Sequence, residues 1–239
     1  MAAKTSTGAA APRAGGGTQV ADRADRELLA RDPAEDEGRS ARKRRAIMAA
    51  ATELFLQQGY QGTSMDEIAA RAAVSKQTVY KNFADKERLF SDITLGITER
   101  AEGFVGAVRA TLPETEDLEA DLTELARQYI ASVMLPQVLQ LRRLVIGEAA
   151  RFPELARAYY ERAPDRVLGA LAAALQRLAD RDLLRLDDAD LAANHFAWLI
   201  LSPLDKAMFC GDDENLTPAE LNRLADAGVR VFLAAYRKR

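Results

Sequence analysis

The chain has little that can do covalent chemistry. Its 239 residues include one cysteine, Cys210, and one histidine, His195. A single thiol excludes an intrachain disulfide and is compatible with the cytoplasm, the compartment expected here. There is no G-x-S-x-G and no glycine-rich loop after a strand, so nothing pairs a nucleophile with a base or cradles a phosphate, and no enzyme is expected. No cluster has metal-ligand spacing, so neither a metal nor another cofactor is expected. The acidic pairs Asp187-Asp188 and Asp212-Asp213 read as helix caps and loop residues. No apolar run nears the roughly 20 residues that span a bilayer, and the first residues lack the apolar segment of a signal peptide. No membrane partner is expected.

Aromatic residues make up only 6% of the chain and β-branched residues are sparse, while Ala, Leu and Arg dominate. That balance favours helix over strand and predicts an all-α protein. With 48% apolar residues the chain has material for a sizeable core.

Charge is distributed unevenly. The net charge of −3 conceals a segment, residues 40–90, with nine Lys/Arg against five Asp/Glu. Residues 91–239 carry eighteen against twenty-four, and residues 1–39 six against seven. A basic stretch ahead of an acidic remainder suits a contact with polyanion phosphates confined to one part of the molecule.

Taken in order, residues 1–39 are rich in Ala, Gly, Thr and Pro and too poor in large apolar groups to offset the entropy of ordering. They read as a disordered tail. A first helix is expected to open at Ser40, with Arg42, Lys43, Arg44 and Arg45 in its opening turn as phosphate or minor-groove contacts. Ile47, Ala51, Leu54 and Phe55 repeat at helical spacing, and Gly59 supplies a left-handed cap.

Residues 63–83 are the stretch around which the rest is arranged. Ser64 and Glu67 form an S-x-x-E capping box, Ala72-Ala73-Val74 makes a break, and Ser75 caps a second short helix. Ile68, Ala69, Val74, Val79 and Phe83 are spaced to share one small core, which leaves Lys76, Gln77, Thr78, Tyr80, Lys81 and Asn82 on the outside. Such a pair is a helix-turn-helix, whose second helix enters the DNA major groove. The bare pattern fits an ordinary helical hairpin with a solvated polar face equally well. Beyond it, Asp85 is expected to cap one long helix over 85–112, with Leu89, Phe90, Ile93, Ile97 and Phe104 as its buried stripe. Proline-punctuated helices follow over 117–135, 137–151, 153–161, 163–180, 189–210 (kinked at Pro203) and 217–236.

A dense set of residues separates the two readings: Ala51, Leu54-Phe55, Gly59-Tyr60, Thr63-Ser64, Ile68-Ala69, Ala72, Val74-Ser75-Lys76, Thr78-Val79-Tyr80, Phe83 and 86–90 (KERLF). At this spacing the segment 44–90 resembles the TetR (tetracycline repressor) family of bacterial transcription regulators. Three positions depart from the family's habit: Ala73 and Gln77 stand where Gly is usual or frequent, and Asn82 where His or Tyr is frequent. A further stretch, RRLVIGEAARFPELARAYYERAP, is similar to the AefR-like C-terminal subgroup.

The resemblance implies a DNA-binding domain over 40–86 and a helical effector-binding and dimerisation domain over 87–239. It implies a homodimer through the last two helices, about 189–210 and 217–236, and a double-stranded DNA operator. A small-molecule effector, unidentified by the sequence, would release that DNA. Carried onto matching positions, Lys76, Gln77 and Thr78 meet base edges and nearby phosphates, and Tyr80 reaches a phosphate or a thymine methyl. Thr63 and Ser64 cradle a phosphate at a helix N-terminus, while Lys86 makes a similar contact. Ser75, Lys81 and Asn82 complete the expected DNA-facing set. Residues expected to line the effector pocket are Phe104, Tyr129, Met134, Arg143, Glu148, Phe152, Tyr160, His195 and Trp198. The family implies a repressor; an activator of the same fold, or a helical protein-binding adaptor, are the alternatives.

Overall fold

A computed structural model describes residues 33–96, 98–210 and 216–238. The tail expected over 1–39 falls mostly outside these residues. The chain divides into two compact units, 1–45 and 46–239.

The described elements are helices, with no strand among the described residues. In chain order they are α1 (Pro33–Gly62), α2 (Met65–Arg71), α3 (Lys76–Asn82), α4 (Lys86–Gly96), α5 (Glu99–Thr111) and α6 (Leu118–Val133). Next come α7 (Pro136–Gly147), α8 (Pro153–Tyr160), α9 (Arg166–Asp180), α10 (Ala189–Ile200), α11 (Leu204–Cys210) and α12 (Pro218–Tyr236). An isolated antiparallel bridge joins Leu184 to Arg237.

Local chemistry accounts for most of the boundaries. Helix α1 begins at Pro33 rather than at Ser40; proline suits a first helical position. Its regular path ends at Gly59, whose φ of 74° only glycine adopts without strain. Asp117, Asp188 and Thr217 cap α6, α10 and α12, and at α12 Glu220 completes a capping box. Pro164 lacks an N–H, and the chain passes it in one wide turn, Glu161–Asp165, between α8 and α9. Pro203 does more than kink its segment: α10 ends at Ile200 and α11 starts at Leu204.

The long helix expected over 85–112 is two helices. Helix α4 ends at Gly96 and α5 begins at Glu99, and Thr98 donates its hydroxyl to the Leu95 carbonyl at 2.6 Å. Glycine is the weakest helix former after proline, and a hydroxyl bonded to a nearby carbonyl competes with the helical ladder. Ile97, expected in the buried stripe, lies outside the described residues.

Two large apolar cores and a small cluster of Leu141, Val145 and Tyr159 form within 46–239. The larger joins α5, α6, α9, α10 and α12, with Leu122, Ile130, Leu171, Leu175, Phe196 and Phe232 fully buried. Each such side chain contributes about 2 kcal/mol by burial. Phe196 meets Phe232 edge to face at 5.2 Å. Helices α10 and α12 cross closely at Gly228, where an added Cβ would lie 3.1 Å from the Leu199 backbone. Arg127 on α6 donates two hydrogen bonds to the Asp226 carboxylate on α12, at 2.8 and 2.9 Å, which holds that carboxyl below its usual range. The smaller core gathers Ile47, Phe55, Tyr60, Ile68, Val79, Phe83, Leu89 and Phe90 from α1 to α4.

Candidate nucleic-acid interface and effector cavity

Helices α2 and α3 are the predicted helix-turn-helix. The Ser64 hydroxyl accepts from the Glu67 N–H, and the Glu67 carboxylate takes the Ser64 N–H at 2.8 Å and its hydroxyl at 2.7 Å. Those hydrogen bonds pull the Glu67 carboxyl below its usual range. Ser75 caps α3 through the Thr78 N–H at 3.1 Å. Ile68, Ala69, Val79 and Phe83 are buried and Val74 is half-buried, so the expected core set does pack inward. Ala73 in the turn has φ 52°, in the left-handed region. Exchanging it for glycine relieves a Cβ clash worth about 1–2 kcal/mol, partly offset by the freer unfolded chain. Ala73→Gly is therefore expected to raise stability by up to about 1 kcal/mol in urea melts.

The face opposite that core is polar and open. Lys76, Gln77, Tyr80 and Lys81 are exposed, with Tyr80 at 45%. Thr78 and Asn82 are half-buried, and the Asn82 amide donates back to the Thr78 carbonyl at 2.8 Å. Lys76 pairs with Asp66 on α2 at 2.8 Å. In the first unit Arg42, Lys43 and Arg45 are exposed and Arg44 is half-buried.

Three residues expected to face phosphate are placed otherwise. The Thr63 side chain is buried and its hydroxyl donates to the Gly59 carbonyl at 2.9 Å, leaving no surface for a phosphate. At Ser64 the cradle is already filled by the Glu67 carboxylate, an anion where a second anion would go. Lys86 is half-buried. Its ammonium donates to the Tyr60 and Thr63 carbonyls, both at 2.8 Å, and lies 4.4 Å above the Tyr60 ring. Burial, with Arg151 nearby, pulls its pKa below the ordinary lysine value. Lys86 thus fastens the α1–α2 connection to the start of α4. Lys86→Met keeps the stem but removes two charge-assisted hydrogen bonds, a cost of about 2 kcal/mol. A thermal melt should register the loss even with no DNA present.

The second feature is a cavity of about 290 Å³ between α6, α7, α8 and α10, adjoined by one of about 60 Å³ that reaches α5. Of the expected lining, Phe104, Tyr129, Tyr160 and Trp198 are on the walls. Phe104 stacks on Tyr129 at 4.8 Å, and burial pushes the Tyr129 phenol up to about 12. Five others are not on the walls. Met134 is packed in the larger core, and Arg143 donates to the Ala207 carbonyl at 2.9 Å. Glu148 ends α7, and His195 shares a hydrogen bond with the Tyr236 hydroxyl at 2.6 Å. Phe152 points to the other core: its ring lies 4.9 Å from Tyr60 and 5.9 Å from Phe90, with Arg151 over both Tyr60 and Phe152. Arg142 lines both cavities and was not among the expected residues. A signal was present: it stands four residues after Val138 and three before Val145, the only charge on an otherwise apolar helical stripe.

A tightly cored helix-turn-helix with a bare polar second helix, followed by an all-helical body holding an apolar cavity, defines the class of helix-turn-helix transcriptional regulators. Residues 47–93 match the family described as "Bacterial regulatory proteins, tetR family", and residues 120–238 match "AefR-like transcriptional repressor, C-terminal domain". The chain belongs to the TetR family of bacterial regulators, with an AefR-like C-terminal domain.

Among solved structures, a tetR-family transcriptional regulator of Mesorhizobium loti is 45% identical, with a TM-score of 0.75 over 83% of this chain and 98% of its own. The flavonoid-responsive regulator FrrA is 33% identical, with a TM-score of 0.67 over 83% and 99%. Among curated relatives, the transcriptional activator FasR of Mycolicibacterium smegmatis is 38% identical over 76 residues, 31% of this chain and 33% of FasR. This chain therefore spans about a third of that relative's length. The transcriptional repressor Rv3405c of Mycobacterium tuberculosis is 29% identical over 189 residues, 78% of this chain and 87% of that protein.

Proposed function

We propose that the protein is a cytoplasmic homodimer that binds a near-palindromic DNA operator, represses transcription there, and is released by a small molecule held in the α6–α8 and α10 cavity. One observation carries the DNA reading: α3 turns Val79 into the core and leaves Gln77, Tyr80 and Lys81 in solvent. Gln suits adenine bidentately, Lys suits guanine acceptors, and Tyr80 can reach a phosphate or a thymine methyl. Lys76 joins them by leaving Asp66, since an ion pair this exposed holds weakly. Arg42, Lys43, Arg44 and Arg45 are kept as phosphate contacts on the ground of charge alone. An activator is the second reading, favoured by the name of FasR.

An apolar stripe left in solvent on the last helices supports the dimer. Leu191 and Trp198 on α10 and Val231 on α12 are each more than half exposed, and Ala235 is also exposed. Packed across a two-fold axis these helices would form a four-helix bundle and set two α3 helices about 34–36 Å apart, one turn of DNA. Val231→Glu is expected to give a folded monomer by light scattering, with helical circular dichroism unchanged.

A link from cavity to DNA runs through the α7–α8 connection. Val145 and Ala149 on one side, and Ala156 and Tyr159 on the other, are cavity walls, while Phe152 between them sits in the helix-turn-helix core. A ligand that spreads these walls shifts the ring on which Tyr60 and Phe90 rest. Footprinting on the DNA flanking the gene tests the whole reading: a protected site with two half-sites one turn apart is expected, and indifference to every duplex would end it.

A further inference from the structure

Building on the reading of the cavity as the effector site, we infer that it takes a monoanion: a carboxylate on an apolar body of one or two rings, with Arg142 as its counter-ion. Among the described residues, Arg142 is the only charged one on the walls of either cavity. It makes no hydrogen bond or ion pair among the described residues, and its Nε is shut off from solvent without a partner. Its neighbour Arg143 is answered by the Ala207 carbonyl. Buried donors are nearly always paired in folded proteins, and a guanidinium Nε left without a partner is a donor suited to a carboxylate acceptor.

The remaining walls restrict what carries that acid. Tyr129, Tyr159, Val145, Ile146 and Trp198 offer rings and aliphatic carbon. The Tyr129 phenol, with its pKa raised to about 12, remains a neutral donor at physiological pH and can share the carboxylate. A neutral ligand could answer Nε only through an uncharged and weaker acceptor, a cation would be repelled, and a dianion would find one partner for two charges. At about 290 Å³ the larger cavity falls at the small end for ligand sites, which run from about 300 to 1,000 Å³. That suits a compact ring system.

Calorimetric titration of the full-length protein with 2-naphthoate and 2-naphthamide separates charge from shape. The acid is expected to bind at least about tenfold tighter than the amide, the usual weight of a charge-assisted hydrogen bond. Arg142→Met should remove that preference and leave amide binding within about threefold. Should this variant fail to fold, Arg142→Lys provides the check: charge without the planar fork should keep the preference at lower affinity. Equal binding of acid and amide to the wild type overturns the charge assignment. So does binding of the uncharged dye Nile red with neither naphthalene, and both results leave the cavity reading standing. If Nile red also fails to bind, the effector reading falls and this inference falls with it.

Discussion

Phe152→Ala is expected to loosen the helix-turn-helix while leaving the C-terminal bundle tight. The ring is half-buried against Tyr60 and Phe90, and Arg151 covers it. Removing it should cost about 2–3 kcal/mol, toward the low end for a truncated phenylalanine because the site is partly open. Amide hydrogen exchange locates the loss. Protection should fall in α2 and α4, which share the core that the ring completes, and hold in α9, α10 and α12, whose core lies elsewhere. The same variant should bind operator yet respond poorly to an effector, because the strut between cavity and head is gone. Protection lost evenly across all helices would mean that Phe152 is ordinary packing and that no such strut exists.

The second large effect concerns DNA. Replacing Lys76, Gln77 and Tyr80 together with alanine should weaken operator binding by about a thousandfold, with roughly 1–3 kcal/mol lost at each base contact. Stability should barely change: all three are exposed, the Lys76–Asp66 pair is solvent-screened, and alanine is the best helix former. A gel shift beside a thermal melt tests both halves, with Arg109→Ala in the body as control. Affinity within threefold of the wild type, in a protein that melts normally, would move DNA recognition off α3.

What the sequence disclosed follows the range of the interactions. Ser64 with Glu67 and Thr217 with Glu220 are three residues apart, so both capping boxes were readable and both formed. Gly59 was readable for the same reason, since a positive φ is a property of one residue that glycine adopts freely, whereas at Ala73 the residue type carried no such sign. The partners of Lys86 were not readable because the two carbonyls are 23 and 26 residues away, and a lysine opening a helix ordinarily faces water. His195 and Arg143 were given to the cavity by residue type, whereas their partners, Tyr236 and Ala207, lie across the fold. The break after Gly96 has no proline to announce it.

Phe152 has a consequence for any attempt to treat the operator-reading part as a transferable cassette. Cut out after α4, that piece would carry Tyr60 and Phe90 without the ring that closes over them, together with Lys86 but not Arg151. Grafting these helices onto another regulator's body therefore calls for bringing the 148–155 segment as well, or for a host whose own loop already presents an aromatic at that spot.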